Sequence, residues 1–96
     1  MEIKWTEEAI KHLENTLDFW SKHNYSDDYS NKIIRELKQV ELAIAENPYF
    51  LARFIESIRL YQRHFLKGKF SLYYDIVEEE NVVIIKFFRS SYQKPL

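Results

Sequence analysis

Apolar and polar residues change rhythm twice along this chain. Met1, Ile3 and Trp5 alternate with Glu2 and Lys4, the period-2 pattern of a short, half-buried strand. From Thr6 the period lengthens: Ile10, Leu13, Leu17 and Trp20 recur at helical spacing, with Lys11, Glu14 and Asp18 off the stripe. The spacing predicts a helix that ends near His23. Thr6 opens it, because its hydroxyl can accept an N–H of the first turn, and Glu7 and Glu8 suit the positive end of the helix dipole. The polar stretch "NYSDDYS" at 24–30 reads as a turn with Ser26 or Asp27 as the next cap. Tyr29, Ile33, Leu37, Val40 and Ile44 then form a second stripe. Asn47-Pro48 stops it, because the residue before a proline avoids helical angles. Two amphipathic helices joined by a short polar turn should pack as an antiparallel hairpin.

Beyond the connector "NPYFLARFIES" the period returns to two. "IRLYQRHF" (58–65) and "KFSLYYDIV" (69–77) flank Leu66-Lys67-Gly68, where the chain's one glycine offers a hairpin turn its backbone freedom. Phe70, Leu72, Tyr74 and Ile76 share one face. "EEEN" (78–81) is a second tight turn, and "VVIIKFFR" (82–89) is apolar on both faces, as at the centre of a sheet. The expected fold class is therefore α+β, a small antiparallel sheet in the order β-α-α-β-β-β, with the helical hairpin packed on one face. Short turns force sequential pairing of the last three strands, and the first strand joins one of them to give about four. The opposite face is expected to lie partly uncovered and to display Arg59, Arg63, Tyr73 and Arg89.

Composition narrows the chemistry. Ninety-six residues suffice for one core, so residues 1–96 are read as a single domain, and one glycine with two prolines leaves little room for long loops. No run approaches the roughly 18 apolar residues that span a bilayer, and the first residues have neither a basic start nor an apolar signal core, so a cytoplasmic protein without membrane contact is expected. The absence of cysteine excludes disulfides, thiolate nucleophiles and cysteine metal sites. No cofactor or metal is expected. Charge is unevenly distributed: residues 1–57 hold 7 Lys+Arg against 11 Asp+Glu, residues 58–96 hold 7 against 4. An acidic half followed by a basic half suggests two surfaces with different partners.

Element order and local motifs together resemble the RelE/ParE superfamily of toxins from type II toxin–antitoxin modules, over essentially the whole chain. "IKWTEEAIKHL" is similar to the family's short strand entering a helix through W-T/S-x-x-A. "IRLYQRHFLKGKFSLYYDIVEEENVVIIKFFRSS" resembles its arginine-led strand, the strand reading like "NYRIVYEV", and the "VVIxxVF" strand. The tail "SSYQKP" resembles the ParE-type ending "DTRQNP": Gln93 and Pro95 match, while Ser90, Tyr92 and Lys94 replace Asp, Arg and Asn. The resemblance implies a growth-inhibiting toxin neutralised by a cognate antitoxin in a hetero-oligomer. Its target would be DNA gyrase, as for ParE-like members, or mRNA on the ribosome, as for RelE-like nucleases. A homologue without toxicity is the third reading.

A metal-independent ribonuclease needs a base for the ribose 2′-OH, an acid for the leaving oxygen and cations for the phosphate. The candidates are His64 or Lys69 as base, Arg63 and Arg89 as phosphate clamps, and Tyr92 as acid or stacking platform. Ser71, just before "LYYDI", stands where RelE-like nucleases often carry an arginine, which favours action by protein contact over catalysis. The binding residues expected are Arg59, Arg63, Lys69, Tyr73, Arg89, Tyr92 and Gln93, cations interleaved with aromatic rings as suits nucleic acid or an acidic protein segment. Arg59, Tyr61, Arg63 and Phe65 fall on one side of their strand, and two arginines there argue for a solvent-facing side. His12 reads as a solvated ion pair with Glu8, and His23 as a partner of the helix end. Trp5, Trp20, Tyr49, Phe50 and Phe54 read as core or connector packing.

Overall fold

The computed structural model describes residues 1–23, 27–94 and 96. The turn expected at 24–26, the Ser26 cap and Pro95 of the tail lie outside these residues. The elements are β1 (Glu2–Trp5), α1 (Glu7–His23), α2 (Asp28–Glu46), β2 (Arg53–Ile55), β3 (Leu60–Phe65), β4 (Phe70–Val77) and β5 (Val82–Ser90), with a 3₁₀ turn at Glu78–Glu80 before β5. The fold is α+β. Its five-stranded sheet runs β1-β5-β4-β3-β2.

Local chemistry explains most of these boundaries. The Thr6 hydroxyl accepts the Ala9 N–H at 3.1 Å, which caps α1 as its sequence suggests. Asn47, ahead of Pro48, ends α2 in an extended conformation. Ile33, Leu37, Val40 and Ile44 of the second stripe are all buried. Asp27 holds the N-cap position of α2 without a side-chain capping bond. The two helices are pinned by Ser30, whose buried hydroxyl donates to Leu17 O at 2.9 Å and lies 2.9 Å from the Ser21 hydroxyl. In the β3–β4 turn Gly68 takes a positive φ of 78°, as its place in the hairpin suggests, and Leu66 and Lys67 take positive φ as well (54° and 56°).

The core lies between the helices and one sheet face, where Phe65, Phe70, Leu72, Tyr74, Val83, Ile85 and Phe88 meet Ala9, Ile33, Leu37, Val40 and Ile44. The Phe70, Leu72, Tyr74 face of β4 is thus the covered one, with Tyr74 donating to Pro48 O at 2.7 Å. In α1 the packing stripe is rotated at its start: Ala9 is buried while Ile10 is 43% exposed.

Three placements correct the sequence reading. β1 pairs in parallel with β5, Glu2 against Val82 through Trp5 against Ile85, so the sheet is mixed. β2 forms inside the stretch read as a connector and pairs antiparallel with β3. Its three residues are too few for alternation to show. Tyr49, Phe50 and Phe54, read as core or connector packing, are 47%, 59% and 45% exposed and so lie outside the core, with Tyr49 and Phe54 packed on Tyr61 at ring centroids 5.6 and 5.0 Å. Where β4 meets β5 the register slips after Tyr73/Phe87 to Tyr74/Ile85, leaving Lys86 extra on β5. At this bulge the chain leaves β1 for α1, with Thr6 N donating to Ile85 O at 3.0 Å and the Thr6 hydroxyl to Lys86 O at 3.4 Å.

Candidate functional site at the turn and tail end of the sheet

Strand register decides which candidate residues share a surface. Directly paired residues project to the same side of a sheet. Arg63 pairs with Leu72, a core residue, so Arg63 lies on the helix-covered side. There its Nη1 donates to Phe50 O at 3.0 Å and ties the segment after α2 to the sheet. His64 pairs with Ser71 and Ser71 with Arg89, which aligns these three across the opposite side. The two arginines expected to clamp one phosphate therefore sit on opposite faces. The inference from arginines to a solvent-facing side fails because a long side chain at a sheet margin can leave the core row and reach a carbonyl. Arg59 is separated as well: it occupies the β2–β3 turn with φ 56°, toward the end of the sheet that carries the Glu78–Glu80 turn. Tyr73 faces away from the helices but is only 4% exposed, its hydroxyl accepting Gln62 Nε2 at 2.8 Å.

What converges is a smaller group at the other end. The β3–β4 turn and the segment after β5 meet there, because Phe70 pairs with Ser90 and Ser91 N donates to Lys69 O at 2.8 Å. The tail folds back on the end of β5. Gln93 N donates to Ser90 O at 3.1 Å and Ser90 N to the Gln93 side-chain oxygen at 2.8 Å. An Arg89 Nη2 bond to Lys94 O holds the turn from the strand side. The β3–β4 turn, with Lys67 and Lys69, and the tail, with exposed Tyr92 and Lys94, thereby reach the same end of the sheet as Arg89 and His64. Lys69 Nζ sits over the Tyr29 ring, 5.9 Å from its centroid. Of the residues expected to bind, Lys69, Arg89, Tyr92 and Gln93 come together, and Arg59, Arg63 and Tyr73 do not join them.

Within this group the His64 ring is paired with Ser71, Nδ1 to Oγ at 2.7 Å. Ser71 is only 7% exposed, too enclosed to act as a nucleophile on a bulky substrate. It orients the exposed imidazole and leaves Nε2 toward solvent, the arrangement by which a second group fixes a histidine's working nitrogen. Arg89 pairs with Ser71 in the sheet register, and its buried Nε has no hydrogen-bond partner among the described residues. A guanidinium suits phosphate or carboxylate oxygens.

A second feature lies beside the tail. His12, Asn15, Thr16, Phe19 and Trp20 of α1 line one wall of a cleft of about 470 Å³, and Ser90, Tyr92 and Gln93 line the other. His12 is half-buried rather than solvated, stacked on Phe87 with ring centroids 6.2 Å apart, while Nε2 keeps the expected contact with Glu8 at 3.8 Å. The sequence reading missed this wall. Its signal was Phe19, a large aromatic residue off the core stripe, at helical spacing from His12 and Thr16.

No helix among the described residues is long and apolar enough to cross a membrane. Comparison of the chain with protein-family models, with curated proteins and with solved structures finds no match in any of the three.

Proposed function

We propose that this protein is the toxin of a type II toxin–antitoxin module, ParE-like in kind, acting in the cytoplasm by contact with a target of the gyrase type. The reading rests on the sequence resemblance. The observation that supports it most is the cationic, aromatic end of the sheet, where the folded-back tail carries Tyr92 and Lys94 to the end that holds Arg89 and, through Ser91 N and Lys69 O, the β3–β4 turn with Lys67 and Lys69. Such a surface suits an acidic protein segment. The neutralising antitoxin is then an acidic, partly disordered chain that orders on binding and offsets its entropy with apolar burial and ion pairs.

Induced expression should arrest growth, co-expression of the adjacent open reading frame should relieve the arrest, and the damage response to broken DNA should rise while transcripts stay intact. A Lys69→Ala/Arg89→Ala double variant should restore growth, whereas Arg53→Ala/Arg59→Ala, at exposed positions away from this end, should not. Arrest that persists in the first pair, with its fold verified by circular dichroism, removes the cationic end from the mechanism.

The His64–Ser71 pair favours one second reading, an mRNA endonuclease of the RelE kind, with His64 Nε2 taking the 2′-OH proton and Arg89 stabilising the phosphate. Discrete codon-associated cuts after induction, abolished in His64→Ala, identify this chemistry. Normal growth on expression identifies a non-toxic homologue.

A further inference from the structure

The outer stripe of α1 and the C-terminal turn build a second site, which shares Tyr92 and Gln93 with the cationic end of the sheet and adds a wall from α1 that the toxin reading does not use. We propose that the cleft between them binds one neutral, planar heteroaromatic ring system of purine size, recognised as a nucleobase is.

Both walls are aromatic, and they come from separate elements. Phe19 is 48% exposed yet its ring is fixed: His23 stacks on it at 3.9 Å between centroids, and Trp20 meets it edge-on at 5.3 Å and 88°. His23 is itself held by an Nδ1 contact to Phe19 O at 2.8 Å. An exposed ring held in place before any ligand arrives loses little freedom on stacking. Tyr92, 79% exposed on the opposite wall, is carried by the turn that Ser90, Ser91 and Gln93 close with backbone and side-chain hydrogen bonds. A volume of about 470 Å³ falls within the range of small-ligand sites.

The polar groups select the ligand. None of the described residues lining the cleft is Asp, Glu, Lys or Arg, and the Nε2 of its one histidine, His12, already lies 3.8 Å from Glu8, so a charged ring would leave water without a free counter-charge. Among the described residues nothing hydrogen-bonds the Asn15 carboxamide, and Gln93, whose oxygen accepts Ser90 N, keeps its NH₂. A carboxamide presents a donor and an acceptor side by side, the complement of the paired groups on a nucleobase edge. An indole, with one N–H and no ring acceptor, uses only part of this set.

The test is a titration of the full chain with adenosine, followed by NMR at the Trp20 indole and the Asn15 and Gln93 side-chain amides. Saturable shifts are expected with a Kd below about 1 mM. Phe19→Ala should weaken binding about tenfold, as for loss of one base stack, and Asn15→Ala, or Gln93→Glu, which keeps the oxygen that accepts Ser90 N and removes the NH₂, should weaken adenosine while sparing indole. Phe50→Ala, an exposed ring elsewhere, should change nothing. An adenylate hexamer that binds more tightly than adenosine, and loses that binding in Phe19→Ala, identifies the source as an unpaired base in a strand; equal affinity identifies a free nucleoside. Absence of saturable Trp20 shifts at about 5 mM adenosine overturns the proposal. So does indole binding as tightly as adenosine with no effect of the amide variants. Growth arrest plays no part in this test, so the site and the toxin reading can fail independently.

Discussion

The two faces of the sheet are built by the same alternation and held together by different chemistry. On the helix side, Phe65, Phe70 and Phe88 meet with ring centroids 5.6–6.0 Å apart, and Tyr74 adds one hydrogen bond to Pro48 O. On the other side the cross-strand neighbours are polar: Gln62 with Tyr73, and His64 with Ser71 beside Arg89. Burial does not separate them, since Tyr73 and Ser71 on interior strand β4 are nearly as enclosed as Leu72 and Tyr74. The difference lies in what each partner demands. Apolar packing is non-directional and scales with area, whereas the polar rows satisfy groups that would be costly to bury alone. The first face therefore carries stability, and the second carries positioning.

The largest expected effect is on the helix side. Phe88→Ala should cost about 3–5 kcal/mol by removing a fully buried ring that stacks on Phe70 and meets Phe65 at a tilt. Urea denaturation measures this, and a comparable loss in His64→Ala would erase the contrast between faces.

Alkaline pH probes the same side. Burial pushes the Tyr74 phenol up to about 12 from its ordinary 10.0, with the Arg63 charge pulling the other way. A phenol is charged when deprotonated, so between these values the unfolded chain gives up its proton first. Stability is whole below pH 10 and falls as pH rises toward 12. Tyr49 shifts in the same direction because it donates a hydrogen bond to Glu78. A Tyr49→Phe background therefore isolates the Tyr74 contribution, and adding Tyr74→Phe should flatten the remaining dependence. A urea midpoint that does not change over this interval would contradict the assignment.

On the polar side Ser71→Ala should cost about 1 kcal/mol, the net worth of one hydrogen bond whose other partner can turn to water. It should also release the His64 ring, seen as averaging of its two nitrogen signals by NMR. An unchanged ring would mean that Ser71 does not orient it. The smallest effect belongs to the turn at the end where both faces stop. Lys67→Asn should stabilise by a few tenths to about 1 kcal/mol, because asparagine tolerates the left-handed angles that Lys67 adopts before Gly68. A loss in thermal midpoint would count against this account of the turn.

What the sequence by itself determined is everything with a local period or a local cap. The α+β class, the order of the long elements, the Thr6 cap, the Asn47-Pro48 stop, the buried stripe of α2 and the Phe70–Tyr74 face of β4 all follow from rules acting within a few residues. Of the candidate site, Lys69, Arg89, Tyr92 and Gln93 were legible as a cationic, aromatic neighbourhood. Their convergence was not, because it depends on Ser91 N meeting Lys69 O across the end of the sheet. The tertiary structure also decided that β1 lies parallel to β5, that Arg53–Ile55 pairs at the β3 edge and that Arg63 and Arg89 face opposite ways. Alternation says which residues share a side. Only the packing of helices and the pairing of distant strands, both fixed by non-local burial and register, says which side is covered.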